Sequence, residues 1–228
     1  MAQKNKLQKF AENTTFDNLF QLPYEEIVKG FDLKGNWARD YFKNDNDIVL
    51  ELGCGKGEYA VGLAQIYPHK NFIGIDIKGA RLWRGLKTAQ EKSIENVSFI
   101  RSRINLVNFY FGKNEVSEIW ITFPDPHARD PKAKKRLTSP EFLKRYTGFL
   151  KKDAIINLKT DNYIIFESTL DTIKDYGHKI LYQTNDVYSE EYDSEVSGIQ
   201  TYYEKKWLDH GTKIKFVKFQ LNPDFFDD

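Results

Sequence analysis

Apolar and polar positions fall into two regimes along the chain. Up to about residue 46 they show no sustained period. Residues 1–22 are polar, with Lys4, Lys6 and Lys9 set among a few apolar positions, and read as a basic N-terminal arm. The remainder, 23–228, reads as one domain, because no linker interrupts it. From Asp47 onward strand and helix patterns alternate. Ile48-Val49-Leu50-Glu51-Leu52 is a short apolar run ending in glycines, which predicts a buried strand. Over 58–67, Ala60, Leu63, Ala64 and Tyr67 recur at helical spacing until Pro68 stops the helix. The same reading gives strands over 71–76, 97–100, 118–122 and 154–158, and helices over 80–91, 141–150 and 163–175. Residues 179–183 and 213–220 read as two late strands with no long helix between them. Repeated strand–helix units predict an α/β fold: a doubly wound, mostly parallel seven-stranded sheet with helices on both faces. The late pair predicts an antiparallel last strand.

Composition narrows the function classes. With 40% hydrophobic and 15% aromatic residues, the 228-residue chain can bury a core, which excludes a disordered polypeptide. Cys54 is the only cysteine, so neither an intramolecular disulfide nor a multi-cysteine zinc site can form. The four histidines are scattered without metal-ligand spacing, and no metal is expected. No run approaches the ~18 apolar residues of a membrane span, and the N-terminus lacks the apolar stretch of a secretory signal. A cytoplasmic protein is expected; monomer and homodimer both stay open. The net charge of +1 argues against a general nucleic-acid coat protein. A local patch is a separate matter, since exposed charges are screened beyond roughly 8–10 Å. Arg129, Lys132, Lys134, Lys135 and Arg136 supply one, opposed only by Asp130.

The loop after the first strand reads Glu51-Leu52-Gly53-Cys54-Gly55-Lys56-Gly57. Its glycines let a ligand approach the backbone. The dinucleotide fingerprint would put a third glycine at position 58, which is Glu58 here. A carboxylate in that first helical turn repels a pyrophosphate, so a nicotinamide dehydrogenase is disfavoured. Asp76 ends the second strand 19 residues after Gly57, where a carboxylate accepts hydrogen bonds from ribose hydroxyls. With Glu51 as a second carboxylate, the site suits a ligand carrying a ribose, an amine and a sulfonium: S-adenosylmethionine.

A second constellation is Ile119-Trp120-Ile121-Thr122-Phe123-Pro124-Asp125-Pro126, a strand entering a rigid turn. Proline on both sides of Asp125 restricts the backbone and aims the carboxylate. In this order the chain resembles the bacterial tRNA (guanine-N7-)-methyltransferase family, a group of class I, Rossmann-like enzymes. The residues that carry the resemblance are the glycine loop, Gly74-Ile75-Asp76 and Phe123-Pro124-Asp125-Pro126. Lys135-Arg136-Leu137, Leu158-Lys159-Thr160-Asp161-Asn162 and Thr201-Tyr202-Tyr203-Glu204 complete it.

The resemblance implies methyl transfer from S-adenosylmethionine to N7 of a variable-loop guanosine in tRNA. It implies cofactor contacts from Glu51, Gly53, Gly55, Gly57 and Asp76, with Asp125 as the catalytic residue. It implies substrate binding by Arg129, Asp161, Thr201, Tyr202, Tyr203 and Glu204, and phosphate contacts from Lys132, Lys134, Lys135 and Arg136. Three positions depart from the family. His127 stands where a tryptophan is usual and Arg129 where a lysine is usual. Arg103 stands where an aspartate commonly lies beside the adenine, which leaves the backbone there to line the pocket. Two other readings keep part of the pattern. One is a methyltransferase for a small molecule or protein, with the basic run incidental; the other is an RNA-binding protein with a relict cofactor site.

Overall fold

The computed structural model describes residues 5–127, 129–189 and 194–227, with the backbone alone at 130, 131 and 194. Lys4 of the basic arm lies outside the described residues. The chain forms two compact units, Met1–Phe111 and Gly112–Asp228.

The first unit opens with helix α1 (Lys6–Asn13), so this part of the predicted arm is helical. Its start is a reciprocal cap: the Gln8 N–H donates to Asn5 Oδ1 at 3.0 Å and the Asn5 N–H to Gln8 Oε1 at 2.9 Å. Strand β1 (Leu19–Phe20), helix α2 (Tyr24–Ile27) and strand β2 (Ile48–Leu52) follow. Helix α3 (Glu58–Ile66), strand β3 (Asn71–Asp76), helix α4 (Gly79–Glu91) and strand β4 (Val97–Arg101) complete two strand–helix–strand crossovers. The strands lie in the order β1-β4-β3-β2, all parallel. Every residue of β2 and β3 is buried, which is why both are mostly apolar without alternating, with Glu51, Asn71 and Asp76 as their polar members. Helix α1 lies on α4, where Trp83 Nε1 donates to Glu12 Oε2 at 2.7 Å and Asn13 Nδ2 to the Gly79 carbonyl at 2.8 Å.

One ring organises this unit. A Cβ added to Gly57, Gly74 or Gly85 would come within 2.5, 2.8 and 2.7 Å of the Phe99 ring. Three glycines therefore let the glycine loop, β3 and α4 close over one aromatic side chain.

The second unit contains strand β5 (Val116–Thr122), helix α5 (Pro140–Tyr146), strand β6 (Leu150–Thr160) and helix α6 (Tyr163–Asp175). Strand β7 (Lys179–Thr184), helices α7 (Ser194–Gly198) and α8 (Tyr202–Asp209) and strand β8 (Lys215–Gln220) follow. The order is β5-β6-β8-β7, with β5 parallel to β6 and β8 antiparallel to both neighbours. The expected antiparallel last strand is thus β8.

Besides the unpredicted helices α1, α2 and α7, three elements differ from the sequence expectation. There are eight strands among the described residues instead of seven, because β1 is too short to show a period. The helix expected over 141–150 ends at Tyr146, and Leu150 already begins β6. Residues 151–153 hid this start, since they are partly or fully exposed and polar. Helix α8 was not expected, because among its eight residues only Glu204 is buried and no apolar face marks it.

Candidate active site

In the first unit, Gly53, Gly55 and Gly57 have φ of +75°, +55° and +68°. L-residues seldom adopt this left-handed backbone. The coiled loop turns its amides toward the carboxyl end of β3. There Asp76 Oδ2 accepts the Gly55 N–H at 2.9 Å, and Oδ1 accepts the Lys78 N–H at 2.7 Å. Glu51, 3% exposed at the end of β2, accepts the Ala60 N–H through Oε2 at 2.8 Å and so caps the first turn of α3. Cys54, in the same loop, is buried. Burial raises its thiol pKa, and the fields of Glu51 and Asp76 add to the rise. The loop is therefore a negative environment, favourable to a cation and hostile to a phosphate.

A cleft of about 450 Å³ reaches Ile77, the residue after Asp76. Tyr24, Ile77, Ser102, Arg103 and Leu106 are among its lining residues. Arg103 itself is exposed and starts a 3-10 turn, Ile104–Phe109.

In the second unit, Asp125 is exposed in the turn after β5. Phe123 and His127, on either side of it, are non-glycine residues with φ of +48° and +42°. Histidine tolerates this region better than most residues. The turn is tied at both ends. The Phe123 N–H donates to the Lys159 carbonyl at 2.8 Å. Arg136 reaches back with Nε to the Pro126 carbonyl at 3.1 Å and a terminal nitrogen to the His127 carbonyl at 3.3 Å. Arg136 is thus buried and occupied within the protein, which departs from the phosphate contact expected of it. Arg129, Lys132, Lys134 and Lys135 are exposed, as phosphate contacts require.

Asp161 is half-buried just beyond β6, the strand paired in parallel with β5, which leads into the turn of Asp125. Burial raises its carboxyl pKa, and the charge of Lys215 works against the rise. Tyr202 and Tyr203 are 55% and 42% exposed at the start of α8, with ring centroids 5.6 Å apart. Thr201 and Glu204 form the capping box of that helix. Glu204 is fully buried and ion-paired to Lys159, so its expected contact with a base gives way to a contact within the fold. Sequence reasoning had assigned no role to Lys159. A signal was present: a lysine continuing an apolar strand needs a carboxylate partner if that strand is buried.

The fold is that of the class I S-adenosylmethionine-dependent methyltransferases. A solved structure titled "Structure of an Antibiotic Related Methyltransferase" matches with a TM-score of 0.59 at 21% identity, covering 84% of this chain and 96% of that one. An S-adenosylmethionine-dependent methyltransferase from Aquifex aeolicus matches with a TM-score of 0.54 at 15% identity, covering 96% and 100%. The family model described as "Putative methyltransferase" matches residues 45–217. The tRNA (guanine-N(7)-)-methyltransferase of Christiangramia forsetii is 52% identical, covering 97% of this chain and 100% of that protein. The namesake from Bacteroides fragilis is 47% identical, covering 96% and 86%. The chain belongs to the tRNA (guanine-N(7)-)-methyltransferase family.

Proposed function

We propose that this protein transfers the methyl group of S-adenosylmethionine to N7 of a variable-loop guanosine in tRNA. The observation that carries this reading is the 52% identity along the whole length of a tRNA (guanine-N(7)-)-methyltransferase. Residues 23–228 form the methyltransferase domain in this reading. Its setting is the cytoplasm, where tRNA is found; no helix among the described residues is long and apolar enough to cross a membrane.

The residues of the first unit fit the cofactor. Asp76 is held by two backbone amides, and its carboxylate offers acceptor oxygens to ribose hydroxyls. The cleft at the next residue offers Ile77, Leu106 and the backbone around Arg103 to an adenine. Glu51 adds negative charge beside the glycine loop for an amine and a sulfonium. When bound, S-adenosylmethionine supplies an electrophilic methyl group on a positively charged sulfur.

The residues of the second unit fit the guanine. N7 carries a lone pair and no proton at neutral pH, so no strong base has to act. Methylation puts positive charge on the ring, and the fixed Asp125 carboxylate stabilises that charge as it develops. Asp161 accepts hydrogen bonds from the N1 and N2 donors of guanine, which adenine cannot supply at N1. Tyr202 and Tyr203 offer exposed rings for stacking, worth ~1–3 kcal/mol per base. Arg129, Lys132, Lys134 and Lys135 take backbone phosphates. Positioning supplies most of the remaining acceleration.

Nucleoside analysis of tRNA incubated with the protein and S-adenosylmethionine tests the reading. 7-Methylguanosine is the expected product. Labelled methyl appearing in protein or small metabolites, with none in tRNA, would overturn it.

A further inference from the structure

Lys159 and Glu204 are both 0% exposed and make an ion pair inside the second unit. The Lys159 ammonium also donates to the Val196 carbonyl and, at 3.5 Å, to that of Ile199. Glu204 Oε1 accepts the Tyr188 hydroxyl at 2.7 Å, and Oε2 accepts the Thr201 N–H at 3.3 Å. Gln200 Nε2 donates to the Tyr188 hydroxyl at 3.3 Å. Burial lowers the Lys159 pKa, opposed by the Glu204 carboxylate.

Such a pair is poor value for stability. Two charges leave water, and apolar side chains of similar volume often hold a fold equally well or better. What the pair secures is geometry. Through its main chain, Lys159 accepts the Phe123 N–H that opens the turn of Asp125. Two residues further along the same strand end stands Asp161. Through its side chain, Lys159 holds the segment from Val196 to Glu204, where Tyr202 and Tyr203 project from the start of α8. Three elements with candidate contacts to the base thus meet on one buried residue.

We infer that the Lys159–Glu204 pair is a positioning device for the target guanine. It sets the Asp125 turn, Asp161 and the Tyr202–Tyr203 rings relative to one another, and neither charge touches the base. The inference rests on the proposed function and gives Glu204 a role through the helix it caps.

The double variant Lys159→Met with Glu204→Gln tests it. This removes both charges while keeping side-chain length and one acceptor oxygen, enough for either Tyr188 or Thr201. The expected result is a melting temperature at or near that of the wild type. The kcat on tRNA should fall tenfold or more, with the S-adenosylmethionine dissociation constant unchanged, since misplacement near the reacting atoms acts on turnover. A folded double variant with wild-type kcat would overturn the inference and leave the pair a structural contact. If the double variant does not fold, Tyr188→Phe decides, because it removes one hydrogen bond to Glu204 and leaves both charges. A severalfold loss of kcat is then expected, and an unchanged kcat overturns the inference. Wild-type protein runs beside every variant. If it forms no 7-methylguanosine, the proposed function fails and the inference falls with it; if it does and the variant matches it, only the inference fails.

Discussion

At the scale of single residues, two carboxylates divide the chemistry, and each has a separable signature. Asp76 is fixed by the Gly55 and Lys78 amides and faces the cofactor in the proposed reading. Asp76→Ala removes a charged acceptor, and hydrogen bonds to charged groups are worth about 1.5–3 kcal/mol. Isothermal titration should therefore show S-adenosylmethionine binding weakened roughly ten- to a hundredfold. Asp125→Asn keeps the shape of the turn and loses the charge that the proposed reading sets against the methylated ring. Its turnover should fall by ~10²–10³ with cofactor affinity intact; wild-type turnover would reduce Asp125 to a turn former. A third residue reports on pH. His178 is buried against Tyr176, Phe219 and Phe225, with Nδ1 accepting the Asn222 N–H at 3.1 Å. Burial lowers its pKa to about 4. The unfolded chain, near the ordinary ~6.5, takes up the proton first as pH falls. The stability held by neutral His178 is thus complete above about pH 6.5 and drains away as pH falls toward 4. Thermal melts between pH 7.5 and 5 should show a smaller loss for His178→Gln than for the wild type.

At the scale of elements, the strongest test is of the Phe99 ring under three glycines. In Gly74→Ala the new Cβ would sit 2.8 Å from the Phe99 ring and 2.9 Å from Cys54 Sγ. Overpacking of this kind costs ~1–3 kcal/mol. Urea melts should show that loss, with Phe99→Leu in the same chain recovering part of it; a Gly74→Ala protein as stable as the wild type would refute the packing. The same elements show what the sequence made legible. Strands β2 and β3 were readable to the residue because both faces are buried, so apolar residues fill both faces and the few polar ones, Glu51, Asn71 and Asp76, stand at or near their ends. Helices α3, α4 and α6 were readable because one face of each meets a sheet. Strand β1 and helix α8 were not, since two residues carry no period and α8 buries little besides Glu204. At the site, Asp76 and Asp125 stood out because glycines or prolines surround them. The inward roles of Arg136 and Glu204 did not: in a sequence both look like surface charges. Their partners are carbonyls nine and ten residues back for Arg136 and a lysine 45 residues away for Glu204.

At the scale of the whole molecule, a net charge of +1 leaves tRNA affinity to local clusters. The exposed cations Arg129, Lys132, Lys134 and Lys135 all belong to Gly112–Asp228, while Glu51 and Asp76 belong to Met1–Phe111. Exchange of the lysines should therefore act on tRNA and spare the cofactor. Each phosphate contact contributes ~0.7–0.9 to the slope of log affinity against log salt. Replacing Lys134 and Lys135 together with alanine should lower that slope by at most ~2, and raise KM for tRNA. Filter binding across a salt series measures it. An identical slope in the double variant would mean that the run is a solvated loop.

The turn that aims Asp125 also bears on how such a chain can change. Phe123 and His127 each hold a left-handed backbone without being glycine, a strain of order 1–3 kcal/mol per residue. Selection for folding alone would favour relaxing them, and a glycine at 127 is one step away in conformation. Such a lineage would gain robustness while letting the carboxylate wander. Heat resistance and turnover therefore pull this loop in opposite directions, and a screen for the first will tend to collect losses of the second.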